Sequence, residues 1–302
     1  MSELLTLFIN NMLPIFLISG MGYLLGRWLK INPRTFSQPI FYIFSPCLVF
    51  NSLIHTQLSS DAVLRMMFFA LSITAIIGLI TWFVGLTMHL ERSILAAVML
   101  TSMFNNAGNL GLPVNLFAFG ETALAYATLY FVTVSTLNNT VGVVIASLGS
   151  TNIKQAVLGL FKVPALYSIS LAFIIINQGW HLPLFLERSV GLVANAAIPL
   201  MLVLLGLQFQ NIRWSGHVLP LVVTNIIRLL ISPVIALGLS PVFGLAGVSR
   251  QAGILESAMP AAVLTTVIAT EFNIEPAFVT AAVFTSTLLS PLTLTPLLAY
   301  LK

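Results

Sequence analysis

A cluster of side-chain amides lies inside one of the most apolar stretches of the chain. The segment NNAGNLGLPV places Asn105, Asn106 and Asn109 beside two glycines and Pro113. An amide can donate a hydrogen bond to a carboxylate without adding a charge that must stay buried when the site is empty. Glycine and proline both interrupt helices. The combination predicts a broken helix whose asparagines bind a ligand, although the amides could instead satisfy the broken backbone or hold neighbouring helices together.

The first interruption is predicted between Asn106 and Pro113, with Gly108 and Gly111 inside it. Proline suits the first turn of a new helix, because the N–H group that it lacks would have no partner there. Broken backbone inside a membrane exposes N–H and C=O groups and survives only where protein or a water-filled cavity satisfies them. In transporters built from repeats, such breaks mark the substrate site.

The segment ESAMPAAV predicts a second interruption, with Met259 and Pro260 at the break. In each broken helix the second half would direct its positive N-terminal end at the middle of the span. Two such ends approaching from opposite sides would favour an anion. The sequence therefore predicts a site for a small organic carboxylate.

Two ionisable residues and one further amide are candidates for the same site. Arg228 lies deep in an apolar span, where it would either balance an anionic ligand or pair with backbone carbonyls or with Glu256. Glu256 would either accept a proton, or line the edge of a cavity or pair with Arg228. Of the adjacent Asn138 and Asn139, which cannot share one helix face, we expect Asn138 to reach the cavity.

The elements that position these residues must be transmembrane helices. The 302 residues are 58% hydrophobic and 7% charged, with a mean hydropathy of +1.04. Soluble domains carry about 25% charged residues. The apolar runs are continuous over the length of a membrane-spanning helix, whereas a β-barrel would show short alternating segments. The sequence predicts an all-α integral membrane protein within the lipid bilayer.

Hydropathy predicts ten spans separated by short loops, with both termini outside. The spans are 4–26, 35–55, 63–88, 93–119, 122–148, 158–177, 188–208, 217–239, 250–270 and 277–300. A cytoplasmic first loop, which carries Arg27, Lys30 and Arg34, gives seven lysines and arginines on the cytoplasmic side against four outside. This bias explains the net charge of +4 better than nucleic-acid binding does.

Prolines at near-equal spacing predict an internal repeat. Corresponding spans contain prolines about 150 residues apart; the pairs are Pro14 and Pro164, Pro46 and Pro199, and Pro113 and Pro260. With five spans in each half, the second copy would enter the membrane inverted, a common plan of secondary transporters. The predicted units are a first repeat over residues 1–149, a short cytoplasmic linker at 150–157 and a second repeat over 158–302.

Motifs for catalysis, metal binding and nucleotide binding are absent from the sequence. We therefore expect no enzymatic activity, no cofactor and no metal. Without a nucleotide-binding motif, uphill transport would have to use an ion gradient or the membrane potential.

The motifs resemble those of the auxin efflux carrier family. The residues that carry the resemblance are NNAGNLGLPV, AAIPLMLVLLGLQF, AMPAAV and FTSTLLSPLTL, and the likeness extends over essentially the whole chain. It implies two inverted five-helix repeats, helices 4 and 9 crossing at their breaks, and an elevator-like movement. By motif position the crossover asparagine is Asn106 and the crossover prolines are Pro113 and Pro260. The chain lacks the long cytoplasmic loop of many plant members.

The resemblance also implies a substrate class. Relatives export indole-3-acetate in plants, and bacterial ones are described as permeases for malate or malonate. We therefore expect a carrier of organic anions in the bacterial inner membrane, driven by the membrane potential. A proton- or sodium-coupled symporter, an anion channel and a membrane-embedded sensor are the alternatives. The protein could also form a homodimer.

Overall fold

The computed structural model describes residues 2–56, 58–147, 163–212 and 214–302, and every regular element in these ranges is a helix. The helices are α1 (Glu3–Leu29), α2 (Pro33–Thr56), α3 (Ser60–Thr87), α4 (Arg92–Met103), α5 (Ala107–Ala146), α6 (Pro164–Asn177), α7 (Leu184–Gln208), α8 (Val218–Leu239), α9 (Gly247–Ser257), α10 (Leu264–Glu271) and α11 (Pro276–Leu301). The predicted linker 150–157 lies outside the described residues.

Seven of these helices are long and apolar enough to cross a membrane, namely α1, α2, α3, α5, α7, α8 and α11, and α4 and α6 are shorter apolar helices. The surface fits this setting, because many large apolar side chains of these helices are exposed. The four tryptophans lie near helix ends with their rings exposed, as in the aromatic belts of membrane proteins. The protein is thus a multi-pass helical membrane protein.

A sharp bend divides α5 at Gly120. This residue has φ 80° and ψ −169°, a conformation that residues with a Cβ atom rarely adopt. The bend separates a short helix that follows the first break from the long helix that continues to Ala146. The predicted spans 93–119 and 122–148 therefore meet in one element, with the bend where a loop was expected.

Four prolines follow wide π-helical turns. In each case the π turn ends two residues before the proline; the pairs are Phe8–Met12 with Pro14, Ile40–Phe44 with Pro46, Ala107–Gly111 with Pro113, and Ile227–Ile231 with Pro233. A proline cannot donate to the carbonyl four residues earlier, and its ring crowds that carbonyl. The wider turn lets the helix continue, so Pro14 and Pro46 do not end α1 and α2.

The helices pack in two groups. In the first, α1 packs along α7 and α2 along α6, while the second contains α3, α4, α5, α8, α9, α10 and α11. The contact of α1 with α7 is close, because a Cβ atom on Gly22 would overlap the carbonyl of Val203 and one on Gly206 that of Ser19. An inverted repeat would pair α1 with α7 and α2 with α6, and these pairs are in contact. The repeat itself stays a prediction.

Candidate functional site

The two interrupted helices cross at their breaks. The crossing segments, which we call the crossover, are residues 104–106 between α4 and α5 and residues 260–262 between α9 and α10. They run antiparallel as a single β-bridge. The N–H of Asn106 donates to the carbonyl of Pro260 (2.7 Å), and the N–H of Ala262 donates to the carbonyl of Phe104 (2.8 Å). Each break thus satisfies backbone groups that the other leaves unpaired.

The first break is shorter than predicted. The interruption was expected between Asn106 and Pro113, but Gly108 and Gly111 lie inside the π turn that opens α5, and Pro113 lies in the first turn of the α-helical part. Only residues 104–106 lie between the helices, because the wide turn accommodates Pro113 without a further break. In the second break Met259 and Pro260 are buried and lie between α9 and α10.

Arg228 binds the carbonyl ends of both helices that lead into the crossover. Its Nη1 donates to the carbonyl oxygens of Ser102 (2.8 Å) and Met103 (3.4 Å) at the end of α4. Its Nη2 donates to the carbonyl of Ser257 at the end of α9 and to Oγ of Ser232. Only 1% of Arg228 is exposed. A single guanidinium therefore lies at two negative helix ends, where a cation is stabilising.

Glu256 is buried in the last turn of α9 and faces α5. Its Oε1 accepts a hydrogen bond from Nδ2 of Asn115 (3.0 Å), and its Oε2 has no partner. The carboxyl group fills the space next to Gly111, where a Cβ atom would collide with it. Nδ2 of Asn105 donates to the backbone carbonyl of Glu256. No ion pair joins Glu256 to Arg228 in the described ranges, so the predicted pairing of these two residues is wrong. Glu256 is bound by Asn115 instead, and Arg228 binds backbone carbonyls.

The structure separates the predicted amides by their hydrogen bonds. Asn106 is 4% exposed and its Nδ2 has no partner, so two N–H bonds are available at the crossover. Asn138 is also buried, with an unpartnered Oδ1, and a Cβ atom on Gly142 would lie close to both that oxygen and the ring of Phe104. The side chain of Asn139 donates instead to a carbonyl one turn earlier (2.8 Å). Asn109 is half-buried within the π turn.

Both α5 and α10 begin at the crossover, so their N-terminal ends lie there. The first N–H groups of a helix have no partner within the helix and carry a partial positive charge. The sequences that open these two helices, AGNLG and LTTVI, contain no acidic side chain. The crossover therefore combines two positive helix ends with the free amide of Asn106, while the negative ends are bound by Arg228. This arrangement favours an anion.

A cleft of about 490 Å³ lies between α1, α2, α7 and the part of α5 around its bend at Gly120. Its polar lining comprises Asn51, Ser52, His55, Thr56, Glu121 and Asn195. The cleft reaches Leu116, three residues after Pro113, but it does not include the crossover residues themselves. It therefore ends on one side of the crossover, close to the bend at Gly120.

Sequence reasoning missed three contacts of the site. Asn115 holds Glu256, Ser232 binds Arg228 together with the end of α9, and Oγ of Ser286 accepts the N–H of Ala261 (3.1 Å). Asn115 was detectable as a fourth amide in the same apolar segment. The serines carried no such signal, because hydroxyls are common in transmembrane helices and usually bond to their own backbone.

Comparisons with known proteins place the chain among membrane transport proteins. The family model described as "Membrane transport protein" matches residues 7–298. The chain is 26% identical to an uncharacterized transporter of Methanocaldococcus jannaschii, over 92% of each chain. It is 28% identical to an uncharacterized transporter of Methanothermobacter thermautotrophicus, over 93% of this chain and 94% of that one. It is 29% identical to auxin efflux carrier component 3a of Oryza sativa subsp. japonica, over 45% of this chain and 23% of that one.

Proposed function

Because the chain belongs to the auxin efflux carrier family of membrane transport proteins, we propose that it is a secondary carrier of small organic carboxylate anions. Malate, malonate and indole-3-acetate represent the substrate class. The similarity to the rice auxin efflux carrier component covers 23% of that protein, so auxin is one candidate among several acids.

The observation that carries this proposal is the asymmetry of charge at the crossover. The two carbonyl ends are bound by Arg228, whereas the two N-terminal ends have no acidic side chain in their first turns. Nδ2 of Asn106 has no partner in a position 4% exposed. A buried polar group without a partner is unfavourable. A carboxylate at the crossover would accept its hydrogen bonds and complement the positive helix ends.

An elevator-like movement is the proposed mechanism of alternating access. The group α1, α2, α6 and α7 would be the static part, and the group that contains the crossover would move against it. The cleft lies at the boundary between these groups, because α1, α2 and α7 form one wall and α5 the other.

In the proposed orientation, with both termini outside the bacterial cytoplasmic membrane, the cleft opens outward. An impermeant thiol reagent on intact cells should then label a Lys302→Cys variant lacking Cys47. Labelling only in inverted vesicles would show that the C-terminus lies in the cytoplasm, the opposite of the proposed orientation.

Counterflow in proteoliposomes tests the function. Vesicles loaded with unlabelled malate, malonate or indole-3-acetate should take up the labelled acid transiently against its gradient. We expect Asn106→Ala to lower this uptake by about tenfold or more, which corresponds to the loss of one charge-assisted hydrogen bond. Asn139→Ala is the matched control, because its amide bonds only to its own helix.

The alternatives give different results in the same assay. A channel would let the acid equilibrate without counterflow, and a sensor would bind the acid without moving it. Equal uptake by the wild-type protein and Asn106→Ala would place the site away from the crossover. A coupled symporter remains the second candidate function, and the observation that favours it is the buried carboxyl group of Glu256.

A further inference from the structure

The buried carboxyl group of Glu256 occupies the first turn of the helix that the substrate would approach. It packs against Gly111, the last residue of the π turn that opens α5. Glu256 is 0% exposed, and only Oε1 has a hydrogen-bond partner, the amide of Asn115. The positive N-terminal end of α5 stabilises the ionised form of a carboxyl group at this place. The site thus contains an acid of its own beside the positive end of α5.

The neighbouring helices supply few groups that could compensate a charge on Glu256. From α8 the ionisable residue is Arg228, whose Nη atoms bind four oxygens of α4, α8 and α9. From α5, Tyr130 is close enough to interact with both Arg228 and Glu256. The helix α3 packs Phe69 and Met66 against α9 near Gly253.

Glu121 of α5 lines the cleft, and the other charged groups on the helices that pack against α9 lie at its far end. The pair Asp61–Arg65 of α3 is exposed, and a Cβ atom on Gly244, just before α9 begins, would collide with the Arg65 guanidinium. The helix α11 has Tyr300 as its ionisable residue, and Arg250 of α9 lies over that ring. Among these groups, Arg228 is the cation nearest to the crossover.

A substrate carboxylate would therefore meet a second carboxyl group at the same helix end. If both were ionised, the crossover would hold two negative charges against one guanidinium, in a region where like charges repel strongly. A proton on Glu256 removes one of them. The two events are linked, since binding of the anion favours the protonated acid and the protonated acid favours binding of the anion.

We propose that Glu256 takes up one proton when a carboxylate binds at the crossover, so that the carrier moves the anion together with a proton. This inference rests on the proposed function. The proton enters on the side from which the anion binds and leaves Glu256 on the other side after the anion dissociates. The transported charge per cycle is then one unit more positive than that of the anion alone.

The test uses proteoliposomes at zero membrane potential, with labelled malate and an acidic exterior. The wild-type protein should accumulate malate by about tenfold for each unit of pH difference, the limit for one proton per anion. Glu256→Gln should still exchange malate but lose this accumulation. Glu271→Gln is the matched control, because Glu271 is an exposed acid at the end of α10. Protein-free liposomes give the baseline for passive entry of the neutral acid.

The outcomes separate the two proposals. Absence of counterflow with every acid in the wild-type protein would overturn the proposed function and this inference with it. Counterflow with equal proton-driven accumulation in wild type and Glu256→Gln would leave the carrier intact and overturn only the role of Glu256. Loss of accumulation in Glu256→Gln alone, with exchange retained, would support it.

A second measurement decides the case if Glu256→Gln does not fold. Calorimetric titration of the wild-type protein with malate, in two buffers of different ionisation enthalpy, reports the protons taken up on binding. The expected value is about one proton per malate bound. A value of zero would overturn the proposal without any variant.

Discussion

The carbonyl ends and the N–H ends of the interrupted helices meet in the same small region, yet the fold treats them differently. The carbonyl ends of α4 and α9 share one guanidinium, and Arg228 makes three bonds to their last carbonyls. The N–H ends of α5 and α10 receive no charged side chain from their own first turns. Asn106, at the start of α5, offers an unpartnered amide there.

This difference indicates which charges are permanent and which are transient. A cation fixed by the protein compensates the negative helix ends in every state of the transport cycle. At the positive end of α5 the compensating charge would change during the cycle, from the Glu256 carboxylate in the empty site to the bound anion. The same crossover can therefore be rigid on one side and available to a ligand on the other, and this division can be tested one residue at a time.

Replacement of Arg228 should have the largest effect. Arg228→Met would leave the carbonyls of Ser102 and Met103 buried without their donor and that of Ser257 with only Oγ of Ser232, so we expect a loss of about 3–5 kcal/mol of stability. Arg228→Lys retains the positive charge but not the planar guanidinium with its several donors. Its loss of stability should lie between those of the wild-type protein and Arg228→Met. The measurement is thermal unfolding of the purified protein in detergent.

Arg188→Met is the matched control for this loss. Arg188 lies on α7 with an exposed side chain, so its replacement should change stability by about 0.5 kcal/mol or less. Equal unfolding temperatures for Arg228→Met and the wild-type protein would show that the guanidinium does not hold the two helix ends together.

Gly111→Ala should have the next largest effect. A Cβ atom at this position would collide with the Glu256 carboxyl group, which Asn115 holds from the other side. Overpacking of a buried position destabilises by about 1–3 kcal/mol, and the displaced acid should also impair transport. Gly20→Ala on α1, where a Cβ atom meets nothing within 4 Å, should be neutral or slightly stabilising. If both variants unfold and transport alike, Glu256 does not depend on the space at Gly111.

Much of the fold could be predicted because membranes impose strong patterns on sequence. Continuous apolar runs predicted most of the helices, and amides with proline in such runs predicted the breaks near Asn106 and Pro260. The exact extent of the first break could not be predicted, because proline signals a disturbed helix whether the chain breaks or forms a π turn. Pro14 and Pro46 show the second outcome within α1 and α2.

The partners inside the site could not be predicted from local pattern. Arg228 was recognised as a buried charge, but its bonds to Ser102 and Met103 join residues 126 and 125 positions apart. The bond from Asn115 to Glu256 spans 141 positions. Periodicity and motifs describe which residues face inward, whereas such pairings depend on how the two halves of the chain pack.

The adjacent asparagines provide the finest test of the difference between the two kinds of helix end. The amide of Asn105 donates to the backbone of Glu256, so Asn105→Ala should cost about 1 kcal/mol of stability. The amide of Asn106 has no partner, so Asn106→Ala should change stability by about 0.5 kcal/mol or less while abolishing most counterflow. Unfolding temperatures and counterflow measured on both variants would check this. The reverse pattern, with Asn106 needed for stability and dispensable for counterflow, would mean that its amide closes the crossover instead of receiving the anion. A stable, inactive Asn106→Ala protein would identify the N–H ends as the part of the crossover that the fold leaves for a ligand.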